Sequence, residues 1–165
     1  MSEDTTDRVL SGWEETRPDL AVGALQVTAR LSRIGPLLAR RQEEVFDRFG
    51  LSRGEVGLLS ALRVAGPPYR LSPTRLAKGL MLSSAGATSR IDRLERRGLV
   101  RRLPDPDDRR GVIVELTDEG ARLVDEAVAA VAESDRQLLG RLDADEIAQL
   151  QALLKKLLAS LEPAD

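Results

Sequence analysis

Apolar residues recur every three or four positions along most of the chain, which is the spacing of one face of an α-helix. Over residues 19–49 this pattern is continuous, so we expect one long helix there, with a kink threatened at Gly35 and Pro36. Residues 2–13 are more polar and fit either a short helix or an ordered arm. The pattern therefore predicts a mostly helical protein.

Three serines each mark the start of a further helix, because a serine side chain can cap the free backbone N–H groups of a first turn. The helices that they predict cover residues 52–64, 72–79 and 83–97. Ser52 forms a capping box with Glu55, and Pro73 suits the first helical position after its serine. Three successive helices of modest length are thus expected in the middle of the chain.

Two short stretches of alternating character follow the third of these helices, at residues 99–103 and 112–116. The segment between them is rich in proline, aspartate and glycine, which favour turns. Together they predict a β-hairpin with a charged tip. A short helix, a second helix and a hairpin in this order are typical of a winged helix-turn-helix, which reads duplex DNA.

The last part of the chain predicts two more helices and a partner. Thr117 caps one that reaches about Gly140, and a capping box of Asp143 and Glu146 opens one that ends near Leu161. The last helix carries a wide apolar stripe, made of Ile147, Leu150, Leu153, Leu154, Leu157, Leu158 and Leu161. This stripe is more than a small winged domain can bury, so we expect a second copy to cover it, with packing against the long first helix as the alternative.

Charge is distributed unevenly along the chain, although the net charge is only -2. Residues 70–116 hold 11 basic and 6 acidic side chains, whereas residues 117–165 hold 5 and 11. Basic side chains are therefore concentrated in the segment that predicts the winged helix-turn-helix, where they could replace the counterions of DNA phosphates. A solvated surface is the simpler explanation of the bias taken alone.

Composition argues against several other classes of protein. The chain has no cysteine, which excludes disulfides and thiolate metal sites, and no histidine, which removes the commonest general base and transition-metal ligand. We therefore expect no catalytic site, no metal and no cofactor. The first residues lack the basic-then-apolar pattern of a leader, and no run of about 18 apolar residues occurs, so a cytoplasmic protein without a membrane partner is expected.

The helix predicted at residues 83–97 has two different faces. Ala87, Ile91 and Leu94 form an apolar stripe, and the other side carries small hydroxyls followed by arginines. Hydroxyls near a helix amino terminus can contact phosphates, and arginines one or two turns later can bind guanine edges in the major groove. An arginine at the hairpin tip can enter a minor groove, with Asp108 holding its guanidinium. An ordinary amphipathic surface helix and an aspartate-rich turn with an internal ion pair remain the alternatives.

The segments RIDRLERRGLV, PDPDDRRGV and LTDEG, within residues 70–120, resemble the DNA-binding core of the MarR family of bacterial transcription regulators. The resemblance implies a homodimer whose terminal helices interlock, whose recognition helices occupy successive major grooves and whose wings touch the flanking minor grooves. It implies double-stranded DNA as the partner. One departure is Ala85 followed by Gly86, where the family often has glycine and then threonine.

The same resemblance implies roles for individual residues. The recognition-helix contacts would be Ser83, Ser84, Thr88, Ser89, Arg90 and Arg93. In the wing, Asp108 and Arg110 would form a pair, and Arg109 would contact a phosphate.

Two further stretches, GWEETRPDL and AGPPYRLSP, resemble the branch of this family that responds to urate and related small anions. In that branch an added amino-terminal helix bears a tryptophan over the effector pocket, and Trp13 matches it. The acidic residue of that pocket falls at Gly57 in this chain, so its polar anchor is missing. The resemblance implies an anionic or aromatic effector of open identity, whereas a lone tryptophan is otherwise more often a packing residue.

These observations predict three regions: an arm and long helix at 1–50 for dimerisation and a possible effector pocket, a winged helix-turn-helix at 51–116, and dimerisation helices at 117–165. The predicted fold is mostly α with a small β-hairpin. The predicted function is that of a ligand-responsive transcriptional repressor that binds a pseudopalindromic operator as a homodimer. The alternative is a helical adaptor that uses the winged fold for protein-protein contacts.

Overall fold

A computed structural model describes residues 3–106, 108 and 111–161. Its helices are α1 (Thr5–Thr16), α2 (Leu25–Phe46), α3 (Arg53–Val64), α4 (Pro73–Gly79), α5 (Ser84–Arg96), α6 (Asp118–Leu138) and α7 (Ala144–Ala159). Its strands are β1 (Arg70–Leu71), β2 (Val100–Pro104) and β3 (Val112–Leu116). Short 3₁₀ turns at Val22–Ala24 and Asp47–Phe49 flank α2. The prediction of a mostly helical protein with a small β element is confirmed.

Five helices begin where the sequence predicts, because the side chains that we expected to cap them do cap them in the structure. The hydroxyls of Ser52, Ser72, Ser83 and Thr117 and the carboxylate of Asp143 each accept a bond from a first-turn backbone N–H. The Ser52 and Asp143 capping boxes are complete. Local chemistry thus fixes where five of the described helices begin.

The amino-terminal segment forms a helix, α1, whose own capping box is closed by Asp4 and Asp7. Both carboxylates also bind Arg30 on α2, at 2.9 and 2.6 Å. Their pKa values lie below the ordinary value, chiefly because backbone N–H groups donate to them, with Arg30 contributing further. The caps of α1 therefore dock this helix on α2. The long helix itself begins at Leu25, later than expected, and continues through Pro36.

The sheet is three-stranded and antiparallel, in the order β1-β3-β2. β2 and β3 pair from Val100 opposite Leu116 to Pro104 opposite Val112, which is the predicted hairpin. β1 adds a third strand that the sequence did not predict, with Arg70 opposite Glu115. A strand of two residues is too short to show a period of two.

The core lies where α3, α4, α5 and the sheet meet. Leu58, Leu59 and Leu62 of α3 and Ile91 and Leu94 of α5 are fully buried in one cluster. Val124 and Ala127 join this cluster, so α6 packs against the winged helix-turn-helix as well as against α2. The orientation of α5 is therefore fixed by the core on its apolar side.

The last helix, α7, contributes nothing to this core, since none of its side chains is buried. Leu150, Leu153, Leu154, Leu157 and Leu158 are all exposed. The alternative, in which α7 packs against the long helix of the same chain, is thus not met in the single chain. Its apolar stripe is therefore exposed to solvent in the single chain. Such exposure is typical of a helix that packs against a partner.

The turn between α4 and α5 places a methionine where glycine is usual. Leu82 N–H donates to Ala77 O at 2.9 Å and Met81 N–H to Lys78 O at 3.2 Å, the two bonds of a Schellman motif. Met81 occupies the left-handed position of this motif with φ 51°. A β-carbon is disfavoured there, and the side chain is 95% exposed, so packing does not compensate.

We therefore expect Met81→Gly to raise the free energy of unfolding by about 0.5 to 1 kcal/mol, the relief of strain exceeding the entropy that glycine adds to the unfolded chain. Chemical denaturation measures the change. Met81→Ala is the matched control, because it shortens the side chain but keeps the β-carbon, and it should give no gain. Equal effects of the two substitutions would contradict the strain argument.

Candidate nucleic-acid interface

The predicted recognition helix is α5, and its outer side is open to solvent. Its N-cap, Ser83, accepts from Gly86 N–H at 3.1 Å, and Ala87, Ile91 and Leu94 anchor the helix to the core. The predicted contact residues on this segment are exposed, except for half-buried Arg90: Ser83, Ser84, Thr88, Ser89 and Arg93. The structure therefore brings all six together on one helix and its cap.

Arg90 lies against the first turn of α3. A β-carbon on Gly54 would be only 2.6 Å from Arg90 Nε, so the absence of a side chain at Gly54 is what admits the guanidinium. Gly86 is on the same flank, where a β-carbon would be 3.8 Å from Arg90 Nη1. Of these two glycines, only Gly54 therefore makes room for the guanidinium in its present position.

Arg93 is on the same side of α5 and contacts a buried carboxylate. Its Nε lies 3.2 Å from Glu55 Oε1, and the side chain of Glu55 is only 9% exposed. Burial alone would raise the pKa of Glu55, but bonds from Ser52 and the charge of Arg93 outweigh it and hold the pKa below the ordinary value. Glu55 stays ionised at neutral pH and orients Arg93.

Several exposed basic side chains near α5 have no carboxylate partner among the described residues. They include Arg53 in the first turn of α3, Arg75 and Lys78 on α4, and Arg96 at the end of α5. Sequence reasoning missed these four. The sequence could have identified the first three as unpaired within their helices, because they have no acidic residue three or four positions away. Arg96 has Asp92 at that distance, but Asp92 binds Arg102 instead.

The basic side chains of the sheet differ from those near α5, because they form ion pairs with carboxylates. Arg70 and Arg101 both bind Glu115, which is buried on the central strand. Burial alone would raise the pKa of Glu115, but the two arginines lower it below the ordinary value. Arg102 binds Asp92 and Glu95. Near α5, the described cations that no carboxylate binds therefore lie on α3, α4 and α5 and not on the paired part of the sheet.

Of the predicted wing contacts, only Asp108 is among the described residues, and it lies at the hairpin tip. Asp105 N–H donates to Gly111 O at 3.1 Å and Gly111 N–H to Asp108 O at 2.8 Å, which closes the described part of the turn beside Asp108. Arg109 and Arg110 lie outside the described residues. The proposed pair of Asp108 with Arg110 and the phosphate contact of Arg109 stay predictions.

The predicted effector residue, Trp13, lies on the outer side of α1 and is 49% exposed. With Val9, Gly12 and Thr16 it lines a shallow, open groove. Gly57, where the resemblance expects an acid, packs close to Leu80 instead. In the single chain Trp13 is therefore accessible to a ligand or to a partner.

Metal-binding clusters and membrane-spanning helices are both absent from the described ranges. No group of three or more acidic side chains there could hold a metal ion. No helix in that part of the chain combines the length and the apolar character needed to cross a membrane.

The sequence of this chain matches that of proteins of known family. The sequence profile of the MarR family matches residues 49–111, from the turn before α3 to the hairpin tip. Over 146 residues the chain is 39% identical to the HTH-type transcriptional regulator PecS of Dickeya dadantii, a match that covers 88% of each protein. The chain belongs to the MarR family.

Solved structures of the MarR family share the fold. Sco3205 from Streptomyces coelicolor, in complex with DNA, matches with a TM-score of 0.75 and 27% identity over 88% of this chain and 95% of that one. A point mutant of MarR from Escherichia coli, complexed with operator DNA, matches with a TM-score of 0.67 and 31% identity over 88% and 97%. The winged helix-turn-helix predicted from the sequence is confirmed. The expectation that the chain is not an enzyme is confirmed as well, since PecS and Sco3205 are named as transcriptional regulators.

Proposed function

We propose that this MarR-family chain is a transcriptional repressor that binds a pseudopalindromic operator in double-stranded DNA as a homodimer. The observation that carries the proposal is the surface around α5, where exposed hydroxyls adjoin cations of three helices that the described carboxylates leave available. Backbone phosphates need such cations, and base edges need hydrogen-bonding side chains on a helix that fits the major groove. Repression follows if the bound dimer blocks access to a promoter.

Within this surface the side chains divide into two roles. Ser83, Ser84, Thr88 and Ser89 on the leading half of α5, with Arg90 and Arg93 behind them, are proposed to contact the major groove. Arg53, Arg75, Lys78 and Arg96 are proposed to contact phosphates on either side of it. The carboxylate of Glu55 supports the first role, because it orients Arg93 before DNA arrives.

Dimerisation is proposed from the uncovered stripe of α7. A charge-poor row of leucines on a helix that buries nothing is a strong driving force for association. Twofold symmetry then presents two α5 helices to the duplex. Half-sites about one helical turn, or 34 Å, apart would match two recognition helices on one side of the DNA.

Regulation by a small anionic or aromatic ligand, of the kind the urate-responsive branch binds, is the finer part of the proposal. Accessible Trp13 supports it, since an indole face can stack on a planar ligand. A ligand that binds more tightly to a form with altered spacing of the α5 helices would release the operator. Equal operator affinity with and without urate and related planar anions would remove this part of the proposal and leave DNA binding intact.

The experiment that tests the main proposal is a titration of fluorescent duplexes from the region upstream of the protein's own gene. We expect tight binding to one segment and binding weaker by about 10³-fold or more to a shuffled duplex of the same composition. Light scattering on the complex should give two chains per duplex. Equal affinity for all sequences would overturn operator recognition.

Among the cations that sequence reasoning missed, Arg96 gives a direct prediction. Arg96→Ala should weaken operator and shuffled duplexes alike, by about tenfold, and lower the salt slope by about one for each lost phosphate contact. Arg136→Ala on α6 is the matched control, because it removes the same charge from a side chain that binds Glu133 far along the sequence from α5. If both variants bind like the wild type, Arg96 has no part in the interface.

A further inference from the structure

The base of the hairpin is joined to the recognition helix by one arginine of β2. The Nη2 atom of Arg102 lies 2.5 Å from Asp92 Oδ1, and Nη1 donates to Glu95 Oε2. The backbone N–H of Arg102 donates to the other oxygen of Glu95 at 3.0 Å. Asp92 and Glu95 are one turn apart on α5, so both the side chain and the main chain of Arg102 are tied to that helix.

Strand alternation explains why Arg102 can do this and its neighbour cannot. Arg101 points to the opposite face of the sheet, where it shares Glu115 with Arg70. The rest of the junction between α5 and β2 includes apolar side chains of the core, such as Leu94 and Val100. Apolar contacts are not directional, whereas the paired bonds of a guanidinium fix an orientation.

The three-stranded part of the sheet ends at the same position along the hairpin as Arg102. β1 pairs with β3 only at Glu115 and Val114, and Val114 is the partner of Arg102 across β2 and β3. Beyond this rung only two strands continue, through Leu103 to Pro104, toward the tip. A two-stranded ribbon is only marginally stable alone. The direction of these outer rungs therefore depends on how the rung of Arg102 and Val114 is held.

We propose that Arg102 is a positioning residue that fixes the outer rungs of the hairpin, Leu103 with Ile113 and Pro104 with Val112, relative to α5, so that each subunit presents hairpin and helix to DNA as one rigid unit. The inference rests on the proposed function, because it assigns a role within DNA recognition. Arg102 acts through Asp92 and Glu95 and not on the duplex, since its guanidinium is bound to both and its side chain is only 31% exposed. Fixing the two elements beforehand spares the ordering entropy that binding would otherwise cost.

The first test compares Arg102→Met with Arg101→Met. Each removes one positive charge from adjacent positions of β2, but only the first removes the tie to α5. We expect operator affinity to fall by about 30-fold or more for Arg102→Met and by less than about threefold for Arg101→Met. Equal losses would mean that charge alone matters, and the proposal would be overturned. Thermal unfolding and light scattering establish that both variants are folded dimers.

A second variant, Asp92→Asn with Glu95→Gln, cuts the same tie from the helix side and keeps the proposal testable if Arg102→Met does not fold. It makes α5 more positive, so charge alone predicts tighter binding to every duplex. The positioning role predicts tighter binding to shuffled DNA but a specificity ratio lower by about tenfold or more. Hydroxyl-radical footprints should keep the protection given by α5 and lose the flanking protection given by the hairpin.

Parallel gains on operator and shuffled DNA, with an unchanged footprint, would overturn the positioning role. Failure of the wild-type protein to prefer any duplex would instead overturn the proposed function. The two failures are therefore distinguishable in the same set of titrations.

Discussion

Gly120→Ala should destabilise the protein by about 3 kcal/mol, which is the largest stability effect that we expect from a single added methyl group. Gly120 lies in the first turn of α6, where a β-carbon would be 2.1 Å from the backbone oxygen of Leu99 and 2.9 Å from Leu116 Cδ1. The carbonyl cannot move away easily, because it already accepts from Thr117 N–H at 3.1 Å. The glycine of the LTDEG segment thus permits α6 to start directly against the turn that joins α5 to β2.

Chemical denaturation of Gly120→Ala, with Gly12→Ala as the control, measures this effect. Gly12 lies inside α1 with nothing within 4 Å of its missing β-carbon, so alanine there should stabilise the helix by about 0.5 to 1 kcal/mol. Replacing glycine by alanine should thus lower the free energy of unfolding at position 120 and raise it at position 12. A loss of less than about 1 kcal/mol at Gly120 would show that α6 can shift at little cost.

Leu157→Asp should convert the proposed dimer to monomers and lower operator affinity by about 100-fold or more. Leu157 belongs to the α7 stripe, and its exposed fraction in the single chain is 36%. An aspartate there would place a carboxylate in the proposed apolar interface twice, once from each subunit. Because one α5 helix alone spans only a half-site, a monomer loses half of its contacts with the operator.

Light scattering and fluorescence anisotropy on the same samples check this prediction. Gln149→Asp adds the same charge on the polar side of α7 and should leave both the mass and the affinity unchanged. A Leu157→Asp protein that stays dimeric would show that α7 is not the interface. A monomeric variant that keeps full affinity would show that DNA binding does not need the dimer.

Helix boundaries could be predicted from the sequence because their causes are local. Ser52, Ser83 and Thr117 cap helices in the structure as expected, and Gly50 and Gly98 adopt the left-handed conformation of helix ends, with φ of 63° and 72°. Each of these features depends on a few neighbouring residues. Strand β1 escaped prediction since its existence depends on β3, which lies far along the chain.

The geometry of the interface could be predicted only in part. The pattern on α5 identified Arg90 and Arg93 as its basic residues, but not that Gly54 and Glu55 of α3 receive them. These contacts join residues of two different helices, which no local pattern encodes. Likewise, composition indicated a basic segment, but only the ion pairs of the fold show which of its cations are engaged, as Arg102 is.

The salt dependence of operator binding tests the central claim most directly, namely that cations around α5 of a dimer replace the counterions of DNA phosphates. If about six or more phosphates are contacted, affinity should fall by about 10³-fold or more between roughly 50 and 200 mM salt, with a linear plot of log K against log salt. An adaptor that acts through protein-protein contacts would bind the same duplex weakly. An affinity that hardly changes over this range would contradict the account.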